Sequence, residues 1–266
     1  MWQTYDQVAI QKGAHLEMNS QNKVAIVTGG ARGIGKACAL DLARAGYDIA
    51  LVDLLEVELA ATAAEIEGLG VKAISCVADV CSHKRAGEVV AQTVETFGRL
   101  DFLLNNAGRS APVGILDISE DEFDRAIAIN LKSCFNYIQH SAPHMLKQGG
   151  GRIVSMSSLN ALSGGVTAAV SRFAYAAAKA GILGMTRSLA KELGPNIAVN
   201  AICPGVIRTE IDTNVTERAD EVIKGIALGR LGCADDVARL VTFLATSEPC
   251  FITGQAFTVD GFQFNV

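Results

Sequence analysis

Tyr175 and Lys179 stand four residues apart in Tyr175-Ala176-Ala177-Ala178-Lys179, which puts a phenol and an ammonium on one face of a helix. A free phenol gives up its proton only near pH 10, too high for an efficient base at neutrality, but a neighbouring cation favours the phenolate. The pair therefore reads as a proton-transfer device. Tyr-x-x-x-Lys is common on surface helices, so its weight comes from what surrounds it. Ser158 follows a predicted strand and could donate a hydrogen bond to a reacting oxygen, Asn105-Asn106-Ala107-Gly108 ends another, and Asn130 lies in a long helical stretch.

A second cluster points to phosphate. Thr28-Gly29-Gly30-Ala31-Arg32-Gly33-Ile34-Gly35 joins an apolar run to a helical one. Glycines there let the backbone approach a pyrophosphate, and the helix N-terminus adds unpaired N–H groups with a positive partial charge. The spacing is G-x-x-x-G-x-G, and an ordinary tight turn would also use glycines. Asp53 ends the next strand, 18 residues after Gly35. A carboxylate there can accept from adenosine ribose hydroxyls and repels a 2′-phosphate, favouring NAD over NADP. Arg32 points the other way, since a guanidinium in the turn could contact that phosphate. The bland alternatives are that Asp53 caps the following helix and that Arg32 is a solvated surface charge.

These residues need a scaffold of alternating strands and helices. Runs rich in Val, Ile and Leu predict strands at Val24–Thr28, Asp48–Asp53, Lys72–Ala78, Leu100–Asn105, Arg152–Ser157, Ile197–Ile202 and Gln255–Val259. Apolar residues at three- and four-residue spacing predict helices at Gly33–Ala45, Glu56–Leu69, His83–Phe97, Glu120–Leu146, Tyr175–Leu193 and Asp235–Ala245. Ser119-Glu120-Asp121-Glu122 reads as a capping box. Repeated βαβ units imply a parallel sheet in an α/β fold. No linker or composition break divides the series, so residues 22–266 read as one domain after an N-terminal extension at 1–21. Leu159–Ala174, rich in Gly, Ser and Ala, and Val206–Gly229, which mixes polar residues with room for short helices, fall outside the alternation, each following a strand. Ligands sit beyond the carboxyl ends of such strands, which makes these the substrate-facing loops.

Taken in order, the motifs resemble those of the short-chain dehydrogenase/reductase family over Lys23–Gly261. The resemblance maps the family's glycine motif onto Thr28–Gly35, its adenine-side aspartate onto Asp79 with Val80 beside it, and its N-N-A-G onto Asn105–Gly108. It implies Asn130, Ser158, Tyr175 and Lys179 as the catalytic set. Ser157 directly precedes Ser158, and the family's spacing from the strand gives the role to Ser158. Pro204-Gly205, continuing through Val206 and Ile207, matches the turn beside the nicotinamide, and Thr209 the threonine near its carboxamide. The implied architecture is a doubly wound Rossmann-type domain, a seven-stranded parallel sheet between helical layers. The implied chemistry moves a hydride between a nicotinamide and an alcohol or carbonyl carbon: Tyr175 exchanges the hydroxyl proton, Ser158 orients the oxygen, Lys179 holds the ribose and Asn130 positions a water. A homotetramer is also implied. Two departures stand out: sixteen residues separate Ser158 from Tyr175, a few more than usual, and the end reads Val259-Asp260-Gly261-Phe262 without a second glycine.

Composition narrows the rest. Half of the 266 residues are apolar and 19% charged, enough to bury a core. A net charge of −5 offers no basic footprint, so nucleic acid is not an expected partner, and no apolar stretch reaches membrane-span length. Seven scattered cysteines with no C-x-x-C pair fit buried free thiols in a reducing cytoplasm, and the four histidines suggest no metal site. The two loops carry Asn160, Ser163, Thr167, Ser171, Arg172, Arg208, Glu210, Asp212, Thr213 and Asn214, a polar lining that predicts a small hydroxylated substrate, a sugar or sugar acid. Arg172, and Arg109 directly after Gly108, could grip a carboxylate near the reacting carbon, unless both are solvated or paired. The rival enzymatic reading is an NADPH-dependent 3-oxoacyl thioester reductase. The rival of another class is a dinucleotide-binding sensor without catalysis.

Overall fold

Seven short apolar runs become seven strands in the computed structural model, which describes residues 22–164, 171–210 and 219–263. In chain order the elements are β1 (Lys23–Thr28), α1 (Gly33–Arg44), β2 (Tyr47–Asp53), α2 (Glu56–Glu67), β3 (Ala73–Val77), α3 (His83–Phe97) and β4 (Phe102–Asn105). They continue with α4 (Glu120–Ile127), α5 (Ser133–Lys147), β5 (Gly151–Met156), α6 (Asn160–Ser163), α7 (Phe173–Glu192) and β6 (Ile197–Pro204). The series closes with β7 (Ile207–Arg208), α8 (Ala219–Lys224), β8 (Gly232–Cys233), α9 (Ala234–Thr246) and β9 (Ala256–Val259).

The main sheet is parallel throughout in the order β3-β2-β1-β4-β5-β6-β9. Side chains alternate across a strand, so each face of the sheet carries half of the apolar residues. Val24 and Ile26 of β1 join one buried layer with α3, α5 and α7, while Ala25 and Val27 join the other with α1, α2 and α9. Burial on both faces explains why these strands read as unbroken apolar runs.

The strand order reverses between β1 and β4, the place at the carboxyl edge where open parallel sheets receive ligands. A single hydroxyl ties the two strand ends together. Thr28 Oγ1 donates to the Leu104 carbonyl at 3.3 Å and accepts from the N–H groups of Asn106 at 2.9 Å and Ala107 at 3.1 Å.

The Rossmann-type α/β class and the seven strands agree with the sequence reading, and the strand limits shift by up to two residues. Three local expectations change. The helix predicted over Glu120–Leu146 is interrupted by a π-helical turn at Ala128–Lys132, where one extra residue is accommodated. Leu159–Ala174 contains α6, and Val206–Gly229 contains, beside α8, one of the short helices its composition allows, the first strand of a small parallel pair, β7 with β8. The Ser119 capping box forms as expected, its hydroxyl accepting from Glu122 N–H at 3.2 Å. Not every thiol is buried either: Cys38, Cys76, Cys134 and Cys203 are, but Cys233 is exposed because it opens α9 at the surface. The extension at 1–21 and the loop residues Thr167, Asp212, Thr213 and Asn214 lie outside the described residues. Among the described residues, no helix is long and apolar enough to cross a membrane.

Candidate active site

The catalytic candidates meet where β5 ends. This strand delivers Met156, Ser157 and Ser158 to the carboxyl edge of the sheet, and α7 brings Lys179 against them. Lys179 is 3% exposed, and its ammonium donates to the Met156 carbonyl at 2.7 Å. Burying an ammonium is costly unless its protons are used, so this bond fixes where the charge sits. The same ammonium lies 5.5 Å from the ring centroid of Tyr175, one turn earlier on α7. The helix thus stacks the ammonium and the aromatic ring on one face, next to the strand end.

The neighbouring serines do different work. Ser157 is buried, and its hydroxyl donates to the Lys179 carbonyl at 2.8 Å, tying α7 to the strand end. Ser158 is only partly buried, and its oxygen accepts from the Asn160 N–H at 3.2 Å. That bond uses a lone pair and leaves the Ser158 proton able to point at a substrate oxygen. Of the two serines, Ser157 is thus committed to the main chain of α7 as a donor and Ser158 is not.

Asn130 is buried in the π-helical turn with its carboxamide committed to the main chain. Its oxygen accepts from Arg109 N–H at 3.0 Å, and its amide donates to the carbonyls of Arg109 at 2.9 Å and Ala126 at 3.0 Å. The side chain braces the end of the N-N-A-G segment. Gly108 fits beneath it, since a Cβ there would lie 3.0 Å from Asn130 Oδ1 and 3.4 Å from Lys179 Nζ.

The glycine turn fits a dinucleotide phosphate. A Cβ on Gly35 would stand 1.9 Å from the Gly29 carbonyl oxygen, and Gly33 takes φ +60°, so neither position tolerates a side chain without displacement. An anion already sits there: the Gly33 N–H donates to the Glu210 carboxylate at 2.8 Å. Asn106 seals the turn from β4, its amide donating to the carbonyls of Thr28 and Gly29 at 3.0 and 3.2 Å. Asp53 accepts from Ala31 N–H at 3.1 Å through one oxygen and from Leu54 and Leu55 N–H at 2.7 and 3.3 Å through the other. It therefore ties the two residues ahead of α2 to the glycine turn without capping the helix, whose N-cap is Leu55. Asp79 closes its own turn by accepting from Cys81 N–H at 2.9 Å, and Val80 is buried with its carbonyl taking the Asn136 amide at 2.9 Å. At the opposite end, Gly205 packs so closely on Asp260 that a Cβ would come within 2.7 Å of that residue's Cβ.

Comparison with known proteins agrees with this geometry. A family model described as enoyl-(acyl carrier protein) reductase matches residues 29–261. A 3-oxoacyl-(acyl-carrier-protein) reductase of Thermotoga maritima is 39% identical over 246 residues, 92% of this chain and 98% of that protein. A hydroxy(phenyl)methyl-succinyl-CoA dehydrogenase subunit of Thauera aromatica is 37% identical, over 92% of this chain and 97% of its own. A solved structure of a short-chain alcohol dehydrogenase from Sinorhizobium meliloti superposes with a TM-score of 0.85 at 34% identity, covering 91% of this chain and 96% of that one. The chain belongs to the short-chain dehydrogenase/reductase family.

For a member of this family, Ser158, Tyr175, Lys179, Asn130 and Gly108 gather at one edge of the sheet. Arg109 and Arg172 lie on the rim: the Arg172 N–H donates to the Ala111 carbonyl at 2.8 Å, joining the segment after Arg109 to the start of α7. Both side chains are exposed, and no ion pair to either occurs among the described residues. Sequence reasoning missed the anchoring role of Ser157 and the placement of Glu210. Nothing local signals either, because their partners lie 22 and 177 positions away.

The two serines should separate experimentally. Ser157→Ala removes the bond between β5 and α7, so urea denaturation should show a loss of about 1 kcal/mol with most turnover retained. Ser158→Ala should leave stability nearly unchanged and cut kcat by about 10²–10³-fold, the usual effect of removing a hydrogen-bond donor to a reacting oxygen. The reverse pattern would transfer the catalytic role to Ser157.

Proposed function

We propose that this short-chain dehydrogenase/reductase interconverts a secondary alcohol and a ketone with NAD as cofactor, using Tyr175 as acid and base. The observation that carries the reading is the meeting of Tyr175, Lys179 and Ser158 at one strand end. The diphosphate would be held by the turn formed by Gly29, Arg32, Gly33, Ile34 and Gly35. Asp53 would take the ribose near the adenine, with Asp79 and Val80 beside the base. Asn106, Ala107 and Gly108 would line the middle of the crevice. Pro204, Gly205, Val206, Ile207 and Thr209 would border the nicotinamide, which when bound supplies the hydride acceptor or donor.

The chain's own residues handle the proton. Ser158 donates to the substrate oxygen and holds it toward the Tyr175 phenol. In oxidation the phenolate takes the hydroxyl proton as the C–H bond gives up its hydride, and in reduction the phenol returns it. Lys179, immobilised by Met156, stands beside the Tyr175 ring and would offer its remaining protons to the ribose. Asn130 fixes the Gly108–Arg109 turn that shapes this pocket, and a water beside it would relay the proton outward. A sensor without catalysis would have no use for this set. The family suggests a homotetramer in the cytoplasm, which we include in the proposal on that ground alone.

For the substrate we favour a small polar molecule carrying a carboxylate, a sugar acid or another hydroxy acid, with Arg109 and Arg172 holding the charge. Their exposure at the rim and freedom from ion pairs among the described residues support it. A second reading, reduction of a 3-oxoacyl thioester, draws support from the activity named for the Thermotoga relative. Ile115 and Leu116, 70% and 94% exposed, lie in the segment joined to α7 through Ala111 and could follow an acyl chain.

Tyr175→Phe should retain NAD binding in calorimetric titration and lose turnover by about 10²–10⁴-fold. Turnover within tenfold of the parent would refute the assignment. NAD should exceed NADP by at least about tenfold in kcat/KM, the worth of one close like-charge contact of 1.4 kcal/mol. Asp53→Ala should narrow that ratio, and an unchanged ratio would remove Asp53 as its cause. Screening NAD reduction across polyols, aldoses, sugar acids, hydroxyacyl thioesters and steroids should give the best rates with an acidic substrate. Arg172→Ala and Arg109→Ala should then raise its KM, by about tenfold for a lost bidentate contact. A hydroxyacyl thioester as the best substrate would establish the second reading.

A further inference from the structure

The contact between Gly33 and Glu210 joins two parts of the molecule that cofactor chemistry must treat differently. Gly33 opens α1 inside the phosphate-binding turn, whereas Glu210 directly follows Thr209 in the segment that leaves β7. Helix α1 has no cap of its own: Arg32 at its N-cap makes no side-chain hydrogen bond, and no acidic residue occupies its first turn. Its leading N–H groups would remain open without a partner from elsewhere. Glu210 supplies that partner across 177 residues at 2.8 Å. The Gly33 N–H, the residue's own main-chain N–H and the nearby Lys36 and Arg32 cations hold the Glu210 carboxyl below the usual carboxylate range. The carboxylate is thus present as an anion, and it sits where the turn would receive one.

We propose that Glu210 is an internal competitor for the cofactor's diphosphate: in the free protein its carboxylate occupies the Gly33 N–H, and cofactor binding displaces it. This rests on the reading of Thr28–Gly35 as the phosphate cradle. The two occupants exclude each other, because a carboxylate and a diphosphate on adjoining N–H groups repel at close range. Displacement frees the Ile207–Glu210 segment from α1. Glu210 therefore lowers affinity for the diphosphate and makes the position of a pocket-bordering segment depend on cofactor occupancy.

Calorimetric titration of the full chain and of Glu210→Gln with ADP, NAD and adenosine tests this without turnover. Removing a carboxylate from a helix N-terminus is worth about a two- to fivefold change in a binding constant. We expect ADP and NAD to bind Glu210→Gln about two- to fivefold more tightly and adenosine, which lacks phosphate, to bind both proteins equally. Glu210→Asp, which keeps the charge but shortens its reach by one methylene, should shift in the same direction and serves if the first variant is poorly folded. Hydrogen exchange in the unaltered protein gives an independent reading: saturating ADP should protect the glycine turn and deprotect residues 207–210. Unchanged or weaker ADP binding by both variants, or protection of 207–210 by ADP, would overturn the inference while leaving the cradle in place. Failure of ADP and NAD to bind any of the proteins would overturn the cradle and this inference together.

Discussion

The site rests on the bond that fixes the buried Lys179 charge at one strand end, and a second bond between the same strand end and helix adds stability. Lys179 donates its ammonium to Met156, and Ser157 donates its hydroxyl to the Lys179 carbonyl, so side chain and main chain of one residue are both held by β5. Lys179 is buried, and the energetic penalty for leaving its charge unsolvated makes the first bond nearly obligatory. Once it forms, the helical period places Tyr175 beside the ammonium without further adjustment. Ser158 is positioned by the same strand end, with the Leu159 N–H reaching the Pro204 carbonyl at 2.9 Å to secure the segment against β6. Positions fixed this way require no rearrangement when charge moves, which is what electrostatic stabilisation of a reacting oxygen needs.

A second buried bond connects this machinery to the cofactor crevice. The Asn105 amide donates to Ser155 Oγ at 3.2 Å across adjacent strands, one residue before Asn106 seals the glycine turn and one before Met156 receives Lys179. Parallel pairing keeps Leu104 beside Val154 and Asn105 beside Ser155, so the two functional ends advance together along the sheet. Changes in residues that share such a network combine non-additively. Asn105 and Ser155 therefore couple the halves of the site although neither side chain need touch a ligand.

Much of this was legible because the governing signals are local. Continuous apolar runs marked the strands, and the Tyr175/Lys179 spacing fixed their common helix face. Glycines at 29, 33 and 35 marked a turn that admits no side chain. Information was lost where the partner is remote in sequence. Glu120–Leu146 keeps a helical period across its interruption, so the pattern cannot reveal that Asn130 lies in a π-helical turn with its side chain bonded to Arg109. Ser157 and Ser158 are the same residue type in adjacent positions, and only the direction each faces distinguishes an anchor from a donor. Asp53 does not cap α2, whose N-cap is Leu55; its carboxylate instead accepts from Ala31 in the glycine turn and from Leu54 and Leu55 ahead of the helix, partners that its position at a strand end does not reveal. Glu210 was visible only as one polar residue among several in a loop.

The Thr28 hydroxyl has a consequence for how the chain comes into being. It joins β1 to Leu104 in β4 and to the two residues just past that strand, spanning 76 to 79 positions with three hydrogen bonds. During synthesis the glycine turn emerges early, but the groups that seal it are still unmade, and the strand that carries Lys179's anchor comes later still. A nascent chain ending before β4 holds a glycine turn with no wall behind it. The crevice is therefore a late product of folding, assembled when distant segments meet rather than when its own residues appear, and the entropy of closing that long loop sets when it can form.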